Sequence, residues 1–478
     1  MNKQVPSLSI PFNNSYAALP EVFYARLSPT PVSKPELIAF NKDLAGILGI
    51  SSNHNEAVLA EIFSGNKAIE GSEPLAQLYS GHQFGQYNPQ LGDGRAILLG
   101  ETIGSDGKRR DIQLKGSGRT PYSRGGDGRA WLGPVLREYV VSEAMHALGI
   151  PTTRALAAVA SGELVLRETM LPGAILTRVA QSHIRVGTFQ VFSARKDFTA
   201  LRHLLEYTIA RHYPNVDGTI GFLKRVVEAQ AMLIPQWMGV GFIHGVMNTD
   251  NCQIVGETID YGPCAFLDAY HPMQVFSSID HFGRYAYRNQ PDIIVWNMAQ
   301  LATALVPLMP DTESAINNFT QVVHDMVALI RKNWLSVFSA KIGISSPQKG
   351  DEELINALLS LMEDSQSDFT NTFAALGSNK ARNEFLEPKK FDIWEKRWME
   401  RIKDIKDVEE TLAASNPVLI PRNHCIEEMI QAAVAGNFFL FQRLTEAYST
   451  PFNRTATFED LRRPPNESEK ITATFCGT

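Results

Sequence analysis

The 478-residue chain predicts an α+β fold of two lobes, a small antiparallel sheet followed by a larger set of helices, with an extension at either end. Three observations carry that expectation. Strand-like segments separated by glycine turns crowd between about residues 75 and 180. Beyond about residue 195 apolar side chains recur at steps of three and four. A length of 478 residues also exceeds what one hydrophobic core ordinarily serves. The expected division is 1–70 as N-terminal extension, 71–190 as the small lobe, 191–450 as the helical lobe and 451–478 as a tail.

Composition narrows the function. With 44% hydrophobic and 20% charged residues the chain has the make-up of a soluble globular protein. A net charge of -6 disfavours broad attraction to nucleic acid or to anionic membrane, so any anion site must be local. No apolar run approaches the roughly 18 residues of a membrane span, and the opening residues lack a secretion or transit pattern, which predicts a cytoplasmic protein. Cys252, Cys264, Cys425 and Cys476 show no metal-ligand or disulfide-scaffold spacing; the first three are expected to be buried thiols. A monomer is the default expectation.

In chain order, Ser33 to Leu48 predicts a helix, with Ser33 and Glu36 at capping-box spacing and Pro35 in the first turn. Strands follow at Ala76–Ser80, Arg95–Glu101 and Arg110–Lys115, the last two joined by a Gly-Ser-Asp-Gly hairpin. Before the second strand stands Leu91-Gly92-Asp93-Gly94-Arg95, where glycines would let backbone N–H groups approach a phosphate and Arg95 would add a bidentate donor. Alone it is also an ordinary hairpin turn. Lys115 ends its strand, and the helix Leu132 to Leu148 offers Glu138 or Glu143 as partner, with Glu138 preferred because Val135 and Val141 place it on an inward face. The Gly- and Arg-rich segment Ser117 to Arg129, containing Asp127, Gly128, Arg119, Arg124 and Arg129, is expected to be an anion-binding flap. Strands at 155–159, 163–167 and 174–179 would complete the sheet, and Arg178 and Arg185 at its end could grip a triphosphate.

Helices are then expected at 198–210, 222–234, 292–308, 312–338, 351–375, 391–414 and 424–447, with a tail from Pro451 that is extended or partly loose. Between the second and third of these helices lies His244-Gly-Val-Met-Asn-Thr-Asp250-Asn251, followed by a short apolar strand and Asp260-Tyr261-Gly262. A protein kinase spaces His-Arg-Asp, four residues and Asn in its catalytic loop, with a later Asp-Phe-Gly supplying a metal ligand. On that spacing His244, Asn251 and Asp260 match, while Val246 stands where the kinase base belongs and Asp250 is the nearest replacement carboxylate. The order of parts, from glycine turn to Asp-x-Gly, predicts a two-lobed protein-kinase-like fold with nucleotide between the lobes. Asn251 and Asp260 offer hard oxygen ligands for Mg²⁺, completed by phosphate oxygens and water. The alternative role for Asp250 is that of a loop-capping residue.

The chain also resembles the selenoprotein O family over nearly its whole length. The residues that carry this begin with Tyr79-Ser-Gly-His-Gln-Phe-Gly85, Leu91–Arg95, Lys115-Gly-Ser-Gly and Thr120–Ala130. They continue with Ser142–His146, Leu148–Ala155, His244–Asn251 and Asp260-Tyr-Gly-Pro263. The resemblance implies protein AMPylation: ATP bound end for end in a kinase-like fold, with AMP passed to a Ser, Thr or Tyr hydroxyl of a protein. It implies that Gly92, Gly94, Arg95, Lys115, Asp127, Gly128, Arg178 and Arg185 bind nucleotide, with Glu138 partnering Lys115. It further implies Asn251 and Asp260 as ligands of Mg²⁺, with Mn²⁺ as an alternative, and Asp250 as proton acceptor. Family members commonly carry Cys or selenocysteine near the C-terminus, matched by Cys476; the cysteine with which some relatives pair it is absent from Gln274–Ser278, leaving Cys476 to act alone, to pair with a residue such as Cys264, or to do nothing. Two other classes stay open, an ordinary phosphotransferase and a nucleotide-binding scaffold without turnover.

Overall fold

The computed structural model describes residues 8–51, 53–378 and 380–475. Among the described residues, ten strands lie before residue 181: β1 (Tyr24–Arg26), β2 (Glu36–Phe40), β3 (Leu75–Gln77), β4 (Gly81–Gln83), β5 (Gln86–Asn88), β6 (Ala96–Ile103), β7 (Arg109–Lys115), β8 (Ala130–Trp131), β9 (Arg154–Leu166) and β10 (Met170–Ala180). One sheet runs in the order β1-β3-β6-β7-β10-β9-β2, with β8 paired to β10, and all its pairs are antiparallel. β4 and β5 form a separate hairpin. The α+β class is therefore present as expected.

Strand periodicity places the chemistry. On β7, Ile112 and Leu114 enter a hydrophobic cluster with residues of α1 (Lys42–Ile47) and α2 (Glu56–Phe63). Asp111, Gln113 and Lys115 alternate onto the opposite face. The register sets Arg178 of β10 directly across from Gln113, so both lie on that second face. Covering it is α3 (Leu132–Ala147), whose Val135, Leu136, Tyr139 and Val140 belong to the larger core.

Three local expectations need correction. Residues 33–48 are not one helix: Glu36 to Phe40 pair with β9 as an edge strand, and the helix begins only after Asn41, whose side chain accepts from Leu44 N at 3.0 Å. Pairing to an available sheet edge outweighs a helical pattern over a few residues. The separate strands at 155–159 and 163–167 are one continuous β9. The apolar stretch between Asn251 and Asp260 forms no strand; β11 (Phe242–Ile243) pairs instead with β12 (Ala265–Phe266), beyond the Asp260 turn.

Helices dominate after β10: α4 (Val186–Ala194), α5 (Phe198–His212), α6 (Gly218–Gly239), α7 (Gln290–Leu305) and α8 (Thr312–Lys341). The three expected helices beyond these each divide, into α9 (Asp351–Ser365) and α10 (Phe369–Ala375), α11 (Pro388–Ile402) and α12 (Val408–Ser415), and α13 (Asn423–Val434) and α14 (Phe439–Tyr448). Gln366 ends α9 at φ +49 and Asp368 caps α10, while Gly436 at φ +87 follows α13. These are left-handed stops and caps that local chemistry imposes on an otherwise helical periodicity. The described part of the C-terminal tail is fastened rather than loose at Thr474, whose N donates to Phe276 O at 2.7 Å and whose Oγ1 donates to Pro263 O at 2.5 Å. Cys476 lies outside the described residues. Cys252, Cys264 and Cys425 are buried thiols, as expected. No helix among the described residues is long and apolar enough to cross a membrane.

Candidate active site

Five of the expected residues converge on one hydrogen-bonded cluster. Lys115 Nζ donates to Glu138 Oε2 at 2.6 Å and to Asp260 Oδ1 at 2.8 Å. Arg178 Nη1 reaches Glu138 Oε1 at 3.1 Å and Asp260 Oδ1 at 2.7 Å, while its Nη2 donates to Gln113 Oε1 at 2.7 Å. Arg185, at the N-terminus of α4, donates from Nη1 to Asp260 Oδ2 at 3.0 Å and to the Asp250 carbonyl at 2.6 Å, and its guanidinium lies over the Tyr79 ring. Glu143, the other helix carboxylate, holds Arg154 instead, with Nη2 to Oε2 at 2.7 Å. Spacing alone had left the two glutamates open. Their partners decide between them, because Glu138 meets Lys115 and Arg178 while Glu143 holds Arg154 and Ala155 N at the start of β9.

Three permanent or near-permanent cations thus surround two carboxylates. Burial pushes the Asp260 carboxyl up, but Lys115, then Arg178 and Arg185, together hold it well below the usual carboxylate range. Asp260 also has a left-handed backbone, φ +62, which aims its side chain back into this cluster.

The His244 loop delivers the remaining candidates. His244 is buried, its Nε2 lies 2.8 Å from Ile259 O, and it stacks on Trp237, so it braces the loop rather than facing a substrate. Val246 is also buried. Asp250 sits in a 3₁₀ turn, Thr249–Asn251; Gln83 Nε2 donates to its Oδ2 at 3.0 Å, and its Oδ1 is buried with no hydrogen-bond partner. Burial raises the Asp250 carboxyl to about 6, with Gln83 and Arg185 opposing. Asn251 donates from Nδ2 to Val246 O at 2.9 Å, which directs its amide oxygen away from that bond.

The glycine turn and the flap pack on one another. A Cβ at Gly92, whose φ is +122, would meet the Tyr122 ring at 2.6 Å, and one at Gly94 would meet Tyr122 O at 2.9 Å. Thr120 Oγ1 donates to Asp93 O at 2.7 Å, and Gly116 N donates to Arg95 O at 2.7 Å. Asp127 accepts from Arg129 N and pairs with Arg167 at 2.8 Å, while a Cβ at Gly128 would fall 2.1 Å from Gly118 O. The contacts shown for Gly92, Gly94, Asp127 and Gly128 are with the turn, the flap and Arg167, not with the Lys115–Asp260 cluster. Arg119 donates to Gly126 O and Gly125 O, and Arg129 to Thr30 O and Pro31 O.

Sequence reasoning missed two residues packed at this site, Asp93 and Gln83. Asp93 lies inside the glycine turn but faces inward; Gln77 N and Gln113 Nε2 donate to its Oδ2, and burial raises it to about 6. Gln83 lies within the Tyr79–Gly85 motif, which marked the place without a role. Both signals were on the page as motif residues, but only the fold shows what they touch.

Known proteins decide the family. The model described as protein adenylyltransferase SelO matches residues 6–449. The chain belongs to the SelO family. Among its relatives, the protein nucleotidyltransferase YdiU of Ruegeria sp. (strain TM1040) is 62% identical over 472 residues, spanning 99% of this chain and 100% of the relative. The protein nucleotidyltransferase YdiU of Ruegeria pomeroyi is 61% identical over the same shares, and that of Bradyrhizobium diazoefficiens is 52% identical over 490 residues, covering 99% and 100%. Nucleotidyltransferase, the enzyme class expected from the sequence, is the one that the SelO description and these names carry.

Proposed function

We propose that this SelO-family chain is a protein adenylyltransferase that moves AMP from ATP to a Ser, Thr or Tyr hydroxyl of another protein. The sheet with α3 and the helices beyond residue 190 are read as the small and large lobes of a kinase-like fold, with nucleotide between them. One observation carries the reading: the Lys115, Arg178 and Arg185 cations gather around Asp260 beside a buried Asp250 whose Oδ1 has no partner.

In this reading Lys115, Arg178 and Arg185 hold the phosphate chain, with Glu138 keeping Lys115 in register and the glycine turn and flap, through Gly92, Gly94, Arg95, Asp127 and Gly128, enclosing it. ATP lies end for end relative to a kinase, so its α-phosphate faces the acceptor. The hydroxyl oxygen attacks the α-phosphorus and forms the new O–P bond. The bond from that phosphorus to the α,β-bridging oxygen breaks, and pyrophosphate leaves with the electron pair. Asp250 accepts the hydroxyl proton at Oδ1, a role that contributes roughly 10²- to 10⁴-fold in rate.

The donor set fits a small hard divalent ion. Among the described residues there is no cluster of three or more His, Cys, Asp or Glu able to hold a metal, so an ion here relies on the Asn251 amide oxygen and the Asp260 carboxylate, with phosphate oxygens and water. Bound there, Mg²⁺ or Mn²⁺ would neutralise charge on the transferred group. Asp260 would then exchange part of its contact with Lys115 and the arginines for the ion, as the phosphates take over those cations. The test is the fate of label from the α- and γ-phosphates of ATP, with Asp250→Asn and Asp260→Ala as the variants that should abolish transfer.

A further inference from the structure

We infer that Gln83, carried on the β4–β5 hairpin, is a positioning residue for Asp250: it clamps one carboxylate oxygen so that the other faces the acceptor hydroxyl. The inference rests on the reading of Asp250 as proton acceptor.

Three consecutive hairpin residues meet three consecutive residues of the His244 loop. His82 N donates to Thr249 Oγ1 at 2.7 Å, Gln83 Nε2 to Asp250 Oδ2 at 3.0 Å, and Phe84 N to Asn248 Oδ1 at 3.1 Å. The first contact closes a ring, because Thr249 Oγ1 donates to Gln190 Oε1 at 2.6 Å and Gln190 Nε2 lies 2.9 Å from His82 Nδ1. The third is shared with Tyr285, whose hydroxyl donates to the same Asn248 Oδ1 at 2.6 Å. Backbone N–H groups therefore make the two flanking contacts, and the central one, on Asp250, is left to a side chain.

The approach is close enough to need glycine. A Cβ at Gly81 would stand 2.6 Å from Asp250 Oδ1, and one at Gly187 would stand 2.0 Å from Ser80 O. Phe84 holds a left-handed φ of +52, a conformation that costs a bulky residue energy and persists only where its surroundings enforce it. With Oδ2 taken by the amide, Oδ1 is the oxygen with no partner. A carboxylate free to rotate would present either oxygen; one held at Oδ2 presents a single, reproducible acceptor.

The test uses the full chain with denatured extract proteins as acceptors, comparing wild type with Gln83→Met and Gln83→Glu, which keep the side chain's length without its N–H donor. Asp250→Asn serves as the site control and Gln86→Ala, exposed on the same hairpin, as the hairpin control. Turnover is followed by pyrophosphate release, and nucleotide binding by calorimetry with α,β-methylene ATP. Both Gln83 variants should lose about 10- to 100-fold in kcat while KM for ATP and α,β-methylene-ATP affinity stay within about twofold, and Gln86→Ala should match wild type. Wild-type kcat in Gln83→Met, or a loss of nucleotide binding that parallels the loss of kcat, overturns the positioning role. Full turnover in Asp250→Asn instead overturns the underlying reading of Asp250, whatever Gln83 does.

Discussion

Lys115 Nζ stands 2.8 Å from Asp260 Oδ1, and the same oxygen accepts from Arg178 Nη1 at 2.7 Å. Without nucleotide, Asp260 thus supplies the anion that three converging cations require. Asp260→Ala should leave Arg178 and Arg185 buried with much of their compensation gone and destabilise the free chain by about 3–5 kcal/mol. Tripolyphosphate, which brings the missing negative charge, should raise the melting temperature of this variant more than that of wild type. Equal shifts in the two proteins would count against a shared phosphate-binding role for the cluster.

Gly81 offers a sharper geometric probe. Gly81→Ala places a methyl 2.6 Å from Asp250 Oδ1, where only displacement of the carboxylate or the hairpin can relieve the clash. Turnover should fall on the order of 10²-fold. Steady-state kinetics beside a melting curve decide the point: wild-type kcat with an unchanged fold would contradict the close packing of hairpin and loop.

His183 makes stability depend on pH. Its Nδ1 lies 2.9 Å from Asp111 Oδ2, Asp111 Oδ1 accepts from Arg211 Nη2 at 2.6 Å, and its Nε2 is buried without a partner. Burial lowers the imidazole to about 4, against the pull of Asp111. The folded value lies below the unfolded one, so the contribution is complete above about pH 6.5. It is lost as pH falls toward 4, because the unfolded chain takes the proton first, and it amounts to a few kcal/mol. Urea denaturation of wild type and His183→Asn at pH 7.5 and 5 should show the wild-type advantage shrinking in acid. An advantage that grows in acid would mean that the imidazole is charged in the fold.

Lys341 is a second buried titrating group. Its Nζ donates to Asn416 Oδ1 at 3.0 Å and lies 4.3 Å from the Phe373 ring centre, and burial lowers it to about 7. Its folded value is also depressed, so its contribution is complete above the unfolded pKa of about 10.4 and lost as pH falls toward 7. Lys341→Met should therefore raise stability at pH 7 by a few kcal/mol, less the lost Asn416 contact, and the gain should fade by pH 10. A destabilised variant at pH 7 would show that the Phe369, Phe373 and Asn416 contacts outweigh desolvation.

The cluster was legible where the sequence constrained it in more than one way. Lys115 ended an apolar strand, Glu138 lay on an inward helix face, and Asp260 followed the loop at a recognisable distance, so their convergence could be expected. Glu36 to Phe40 could not be read alone, because their strand exists only by pairing with β9, more than 100 residues away. The breaks at Gln366 and Gly436 were obscured by helical periodicity that continues on both sides. Asp93 and Gln83 illustrate another limit: each stood in a recognisable motif, but their roles depend on contacts with Gln113 and Asp250 that only the assembled fold supplies. Tail residue Thr474 likewise carried no pattern pointing to Pro263.

The central claim is AMP transfer through Asp250 and Asp260, and ATP labelled separately at its α- and γ-phosphates tests it most directly. The labelled nucleotides are incubated with Mg²⁺, extract proteins and wild-type, Asp250→Asn or Asp260→Ala enzyme. Label on protein from the α-phosphate alone, lost in both variants, is the predicted result. Label from the γ-phosphate, or α-label undiminished in the variants, would contradict it.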